Sequence, residues 1–528
     1  MIVVARVNSR SGGVQDETMQ TALDLKDMQA LAARLGEVKT YGHFIGGSFT
    51  EGHSGETITL SNPATRQTLA HIQSGDATDV RRAVDAAHAA FGRWSKSPPQ
   101  ERQQALLAIA ERLRRRVVEF AMMETLNNGK TITEAHTDVG AAISYCEFYA
   151  GTPYHLHGET IDFADATVLV HREPIGVVAQ IIPWNVALAM TLMKLAPALA
   201  AGCTVVLKPA ETVCMSVLEF AKEIADILPP GVFNIVTGYG AAIGEALVTD
   251  PRVRKVTFTG STATARKVMQ YASVNIIPQT MELGGKSANI VCDDADLDAA
   301  AQSAVISTIF NKGEVCLAGT RVFVHKKVRE EFIAKFVHFL SQIKQGDPVD
   351  PSTQLGAQAS QQQFERVKGY IELGKQEGAV TALGGGPSQI KGFENGLFIL
   401  PTIFTGVRNE MRIAREEIFG PVTGVIDWDD EADLLRSVND SIYGLGGGLW
   451  TRSLTRAHRI SRGMETGTVW INRYYNFKPG QSIGGYKQSG FGRENALSTL
   501  NDYTITKSVV INLDEGEPVA LDRPLYKA

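Results

Sequence analysis

Apolar residues recur at helical spacing soon after the first quarter-turns of the chain: Val80, Ala83, Val84, Ala87 and Phe91 fall on one face. Asp76 stands before them as an N-cap, and Asp79 three residues later completes a capping pattern. A second helical pattern runs from about Glu101 to Leu126. It is predicted to stop at Asn127-Asn128-Gly129, where glycine can take a left-handed cap. From Ile175 the period changes. Apolar bursts at Ile175–Ile182, Thr204–Leu207, Asn234–Val236 and Val256–Phe258 are separated by helical stretches, which predicts βαβ units and a parallel sheet. A second αβ block extends from about Ser287 to Gly484. Its strands are expected at Ala288–Val291, Arg321–Val324, Pro421–Ile426 and Thr468–Ile471. Residues 1–37 read as a polar, partly helical extension, and short strands and turns begin near Tyr41. There is no internal repeat and no low-complexity linker.

Composition narrows the class. The chain has 528 residues, 44% hydrophobic and 21% charged, which suits a soluble protein of more than one domain. A net charge of −5 supplies no basic field for nucleic acid. The densest basic run, Arg112 to Arg116, lies inside a helical pattern and reads as a solvated face. Five scattered cysteines make neither a disulfide framework nor a zinc site, so a reducing compartment and no metal are expected. No secretory leader and no membrane-length apolar stretch is present in the sequence, and the cytoplasm is the expected location.

Chemistry concentrates in a few short segments. Cys316 ends Asn311-Lys312-Gly313-Glu314-Val315-Cys316, a polar loop with a glycine three residues before the sulfur. Such a cysteine is either buried structure or a nucleophile delivered by a turn. Glu282 heads Glu282-Leu283-Gly284-Gly285-Lys286 and is either a turn residue at a strand end or a general base. Asn185, in Pro183-Trp184-Asn185, follows an apolar strand. Its amide suits an oxyanion or simply an ordinary turn. Phe258-Thr259-Gly260-Ser261-Thr262 joins a strand to a helix, where backbone N–H groups suit a pyrophosphate. Lys208-Pro209-Ala210-Glu211 ends another strand, with side chains able to reach ribose hydroxyls.

Taken in order, with Glu416-Glu417-Ile418-Phe419-Gly420-Pro421 and Gly484-Gly485-Tyr486-Lys487 added, these motifs resemble the aldehyde dehydrogenase superfamily from about Tyr41 to Ile511. The resemblance implies an α/β fold: a Rossmann-like NAD-binding domain interlocked with an α/β catalytic domain, plus a small β oligomerisation segment. The expected division is 38–151 with 172–284 for cofactor binding, 285–484 for catalysis, and 152–171 with 485–528 for oligomerisation and the tail. It implies Cys316 as nucleophile, Asn185 as oxyanion donor, Glu282 as base and Lys194 beside them. It implies cofactor contacts from Trp184, Lys208, Glu211, Gly240, Gly260, Ser261, Leu283, Glu417 and Phe419. The cofactor is NAD, with NADP as the alternative; Glu211 favours NAD because it would repel a 2′-phosphate. A homodimer or homotetramer is implied.

Three departures and one specificity reading follow from the resemblance. Glu314 stands where relatives commonly carry Gln, and if it points inward it raises the Cys316 pKa. Ala265 replaces a usual glycine and is tolerated if its backbone is helical. The N-terminal extension is longer than in the shortest members. The substrate tunnel draws on Val186, Ala189, Met190 and Met193, on Phe310, and on the loop carrying Arg473, Tyr474, Tyr475 and Phe477. That lining predicts medium-to-large apolar or aromatic aldehydes. The alternative is a semialdehyde whose carboxylate meets Arg473. A CoA-acylating enzyme and a non-catalytic binding protein are the competing classes. The first typically lacks the glutamate at Glu282, and the second has no need of Cys316, Glu282 and Asn185 together.

Overall fold

The computed structural model describes residues 25–513. Most of the 1–37 extension and the end of the 485–528 tail therefore lie outside the described residues. Strands and helices alternate as the pattern predicted, and two large sheets carry the molecule.

The first sheet has eight strands. Its centre is parallel: Gln279–Glu282, Val253–Thr259, Val177–Ile181, Thr204–Lys208 and Phe233–Ile235 lie side by side. The central strands Val177–Ile181 and Thr204–Lys208 are buried on both faces, which is why they read as continuous apolar bursts. His43–Ile45 and Ser48–Thr50 extend one side as an antiparallel hairpin. On the other side a two-residue strand, Gly490–Phe491, runs antiparallel to Gln279–Glu282 and sets Gly490 opposite Glu282. The second sheet has seven strands, ordered Val380–Leu383, Thr402–Thr405, Val422–Trp428, Arg321–His325, Ala288–Val291, Gly446–Trp450 and Thr468–Ile471. All its pairings are parallel except the first. A separate antiparallel sheet joins Glu159–Asp162, Ala166–Pro174 and Thr504–Asn512.

Helix Ala77–Trp94 has the expected capping box between Asp76 and Asp79, and its buried face includes Val80, Ala83, Val84 and Ala87. The second helical pattern divides in two. Pro99–Arg115 and Val117–Asn128 meet at Arg116, whose φ of −121° and ψ of 23° leave the helical region. No glycine or proline marks this break. Arg116 is held there by Glu119 and by Glu223 from a distant helix, a tertiary contact that periodicity cannot carry. The basic run is spent on carboxylates: Arg112 on Asp226, Arg114 and Arg115 on Glu111. Gly129 ends the second helix at φ 84°, and a Cβ there would lie 2.5 Å from the Ala357 carbonyl oxygen. The helix Ile132–Ala150 was not anticipated. It begins at a Thr131–Glu134 capping box and packs against three other helices. The helix Ala187–Ala201 is buried almost all round, so it lacks the one-sided stripe of a surface helix.

Among the described residues no helix is long and apolar enough to cross a membrane, and no cluster of His, Cys, Asp and Glu is arranged to hold a metal ion. The five cysteines are all unpaired, four of them buried and Cys316 half-buried.

Candidate active site

Cys316 lies on the loop between the helix Leu297–Ile309 and the strand Arg321–His325. Asn311, Lys312 and Gly313 take left-handed φ values of 46°, 61° and 74° in succession. A side chain at Gly313 would collide with the Gly420 carbonyl carbon at 2.2 Å, so this turn is pressed directly against the Phe419–Pro421 segment.

The glycines after Glu282 explain how three segments converge. A Cβ on Gly284 would sit 2.4 Å from the Glu417 carboxylate, and one on Gly285 would sit 2.3 Å from the Cys316 carbonyl oxygen. The Gly285 N–H donates to Glu417 Oε1 at 3.0 Å. The Glu417 carboxylate and the Cys316 backbone thus close on one short glycine pair that follows Glu282 by two residues. Glu282 is buried, and its Oε1 has no hydrogen-bond partner among the described residues. Burial pushes its carboxyl well above the usual range. Glu494 adds to this, while Lys194 and Arg493 oppose it. Burial likewise raises Glu417 to about 7. The Cys316 thiol is pushed up to about 12, by burial first and then by Glu417 and Glu282, against the backbone N–H groups of Cys316 and Leu317. The resting sulfur is therefore held as a thiol.

Asn185 follows the strand Val177–Ile181 and is buried. Its Nδ2 donates to the Glu314 carbonyl at 2.9 Å. Its own backbone carbonyl accepts from Lys130 Nζ at 2.8 Å and from Asn311 Nδ2 at 2.9 Å. Glu314 does not turn its carboxylate on the thiol. The side chain is fully buried, lies 3.0 Å from Lys312 Nζ and accepts from the Ala359 N–H. Lys194 Nζ donates to Glu494 Oε1 at 2.6 Å, with both groups buried. Glu494 was not singled out in the sequence. The signal was there: a carboxylate in a glycine-rich turn, Gly490-Phe491-Gly492-Arg493-Glu494, the same texture that drew attention to Glu282.

The cofactor candidates gather at the carboxyl edge of the first sheet, where open α/β sheets bind ligands. Lys208 ends its strand and pairs with Glu211 at 3.1 Å. Ser261 caps the helix Thr262–Ser273 directly after Gly260 and the strand Val253–Thr259. Ala265 is helical and buried, so the usual glycine is not required there. Gly240 opens the helix Gly240–Thr249, with nothing within 4 Å of where a side chain would begin. Trp184 meets Phe419 edge-on at 5.3 Å between ring centres, and Phe419 has a left-handed φ of 62°. Leu283 is buried, and its N–H donates to the Ser489 carbonyl. Open helix N-termini for phosphate and the Glu211 carboxylate for hydroxyls are a donor and acceptor set that fits a dinucleotide.

The substrate candidates separate by depth. Val186, Met190 and Phe310 are half-buried, and Met193 is buried. Tyr474 packs against the Cys316 loop and donates its hydroxyl to the Leu317 carbonyl at 2.9 Å. Its neighbour Tyr475 packs against Phe310 at 5.3 Å, and its hydroxyl has no partner among the described residues. Phe477 is 36% exposed and packs on Trp470, and Arg473 is exposed.

A sequence model described as "Aldehyde dehydrogenase family" matches residues 49–509. The chain is 42% identical over 483 residues to an acetaldehyde dehydrogenase of Pseudomonas aeruginosa, covering 90% of this chain and 95% of the relative. The chain belongs to the aldehyde dehydrogenase family. The NAD+ complex of an aldehyde dehydrogenase from Bacillus cereus superposes with a TM-score of 0.88 at 40% identity, covering 92% of this chain and 99% of that one. A betaine aldehyde dehydrogenase from Staphylococcus aureus, also with NAD+, gives a TM-score of 0.91 at 32% identity, with 94% and 99% covered. As an NAD(P)-dependent aldehyde dehydrogenase, the chain has the fold and the cofactor class that its motifs implied.

The electrostatics of this dehydrogenase predict how its free thiol reacts. Alkylation of Cys316 by iodoacetamide in the cofactor-free enzyme should rise about tenfold per pH unit between about pH 7 and pH 10. Glu417→Gln should speed it, because one of the carboxylates that raise the thiol is neutralised. A rate that levels off near about pH 8 would contradict the raised thiol.

Proposed function

We propose that this enzyme oxidises an aldehyde to its carboxylic acid through a thioester on Cys316, with water as the final acceptor. The convergence of Cys316 and Glu417 on Gly284–Gly285, with Glu282 close enough to act on the thiol and the Asn185 amide bound to the loop, carries the reading. Cys316 gives its proton to solvent water, and its sulfur bonds to the aldehyde carbon as the carbonyl π bond opens. The carbonyl oxygen becomes an oxyanion, stabilised by Asn185 Nδ2 and the Cys316 backbone N–H; one such donor is worth about 3 kcal/mol. NAD+, when bound, accepts the hydride. Lys208, Glu211, Gly240, Gly260, Leu283 and, at the pyrophosphate, Ser261 and Trp184 would hold it, with Glu417 and Phe419 at the nicotinamide end. Glu282 then takes a proton from water, the water oxygen bonds to the acyl carbon, and the thiolate leaves. A buried carboxylate with a raised pKa is a stronger base once ionised, which suits this step. Lys194 acts behind Glu282 through Glu494.

Cys316→Ala should abolish NADH formation. Glu282→Gln should give a burst of about one NADH per site and then stall, as expected when acyl transfer outruns hydrolysis. Full steady turnover in Glu282→Gln would remove Glu282 from the base role.

The substrate proposed is a medium-to-large uncharged aldehyde, aliphatic or aromatic. Val186, Met190, Met193 and Phe310 offer it an apolar wall, and Tyr475 and Phe477 add aromatic surface at the far side. No observation favours the semialdehyde reading, since Arg473 is exposed. NAD is preferred over NADP because of the Glu211 carboxylate. Steady-state kinetics with both cofactors, across acetaldehyde, betaine aldehyde, hexanal, benzaldehyde and succinic semialdehyde, decide both points. The highest kcat/KM is expected for hexanal or benzaldehyde with NAD+. A maximum at acetaldehyde or succinic semialdehyde would overturn the substrate reading.

The proposed assembly is a homodimer or homotetramer. Its support is the strand Thr504–Asn512, an edge nine residues long with Ile505, Val509, Val510 and Ile511 exposed, which a partner's strand would cover. Sedimentation equilibrium should give a multiple of the chain mass, and a monomer at micromolar concentration would refute it. A cytoplasmic location is proposed on the cysteine usage.

A further inference from the structure

Behind the nucleophile loop lies a set of buried charges that the reaction scheme does not use: Glu124, Lys130, Lys312 and Glu314, with Asp138 beside Lys130. Two of them belong to the loop itself, four and two residues before Cys316. Lys312 Nζ lies 3.0 Å from Glu314 Oε2. It also donates to the Asn128 backbone carbonyl at 3.0 Å and to the Asn128 side-chain oxygen. Asn128 ends the helix Val117–Asn128 and donates from its amide to the Trp184 carbonyl at 3.1 Å. The other Glu314 oxygen accepts from the Ala359 N–H at 3.0 Å. The pair therefore ties a left-handed turn to a helix end, to the Trp184–Asn185 turn and to the 359 segment.

The backbone carbonyl of the same glutamate holds the Asn185 amide. Asn185 Nδ2 and Asn311 Nδ2 both donate to the Glu314 carbonyl, at 2.9 Å and 3.1 Å. An amide nitrogen carries two hydrogens in one plane. With one committed to the Glu314 carbonyl, the direction of the other is set by where that carbonyl lies. We propose that the buried Lys312–Glu314 ion pair is a positioning unit that fixes the Glu314 carbonyl and thereby aims the Asn185 amide at the aldehyde oxygen. The inference rests on the reading of Cys316 as nucleophile and Asn185 as oxyanion donor. Neither charge is tolerated alone in this setting, since a fully buried ion without its partner is strongly disfavoured. The two act together: removing one leaves the other to find solvent or a new neighbour, and the strained turn moves with it. Burial lowers the Lys312 pKa and raises that of Glu314, so both are sensitive to loss of the partner.

The test compares Glu314→Gln, Lys312→Met and the double variant, with Cys316→Ala in parallel. Each single change should lower kcat by about tenfold or more and slow the NADH burst, with the aldehyde KM and the NAD+ Kd within about twofold of the parent. The double variant, which removes the same unit, should be about as slow as the slower single variant, and a double variant restored to the parent kcat would overturn the proposal by showing the pair dispensable. Single variants with unchanged kcat, whatever their thermal midpoints, would overturn the proposal, because the pair would then be structural only. So would a double variant as slow as the product of the singles. If Lys312→Met does not fold, Glu314→Gln against the double variant still decides. NADH formation surviving in Cys316→Ala would instead bring down the underlying reading of the site.

Discussion

The active site depends on one steric constraint: two residues without side chains, Gly284 and Gly285, between a carboxylate and a backbone carbonyl. A Cβ at Gly285 would lie 2.3 Å from the Cys316 backbone oxygen and force that segment away, and one at Gly284 would lie 2.4 Å from the Glu417 carboxylate and turn it out of its place. Closure here joins the two large sheets. Glu282 ends a strand of the first sheet, and Ala288 begins a strand of the second. The turn between them carries the glycines. The candidate site is therefore built at the seam between the two sheets, and the same few residues connect the sheets and meet the Cys316 backbone.

Around that seam the protein tolerates an unusual amount of buried charge. Lys194 with Glu494, Lys312 with Glu314, and Lys130 with Asp138 are all withdrawn from water. Such pairs gain little net stability, because desolvation offsets most of their attraction. What they supply is direction: a buried ion pair has few alternative arrangements, so the backbone that carries it is held in one place. Glu282 differs: it is buried without a cation at ion-pair distance among the described residues, and burial, with Glu494 adding to it, raises its pKa. Burial, with Glu417 and Glu282 nearby, pushes the Cys316 thiol up and favours its protonated form.

Glu314 illustrates how a local substitution acquires meaning from its surroundings. Read along the chain, an extra carboxylate two residues before Cys316 raises the thiol pKa if it points inward. In the folded protein its charge is spent on Lys312 and Ala359, and the groups that raise the thiol come from Glu417 and Glu282 instead. Spacing in sequence says nothing about direction when the backbone passes through three left-handed residues in a row.

The sequence by itself determined the alternation of helix and strand, the parallel character of the central sheet, the Asp76 and Gly129 helix ends, and the ordered motifs that mark the family. These rest on local physics: side-chain period, capping and the backbone freedom of glycine act within a few residues. Tertiary structure decided the rest. The helix break at Arg116 is enforced by Glu223, the burial of the helix Ala187–Ala201 hides its face, and Glu494 reaches Lys194 only because the strand Gly490–Phe491 pairs with Gln279–Glu282. Each of these joins residues far apart in the chain through packing or ion pairing. The free energy of such a contact depends on what lies opposite, and the local sequence does not contain that information.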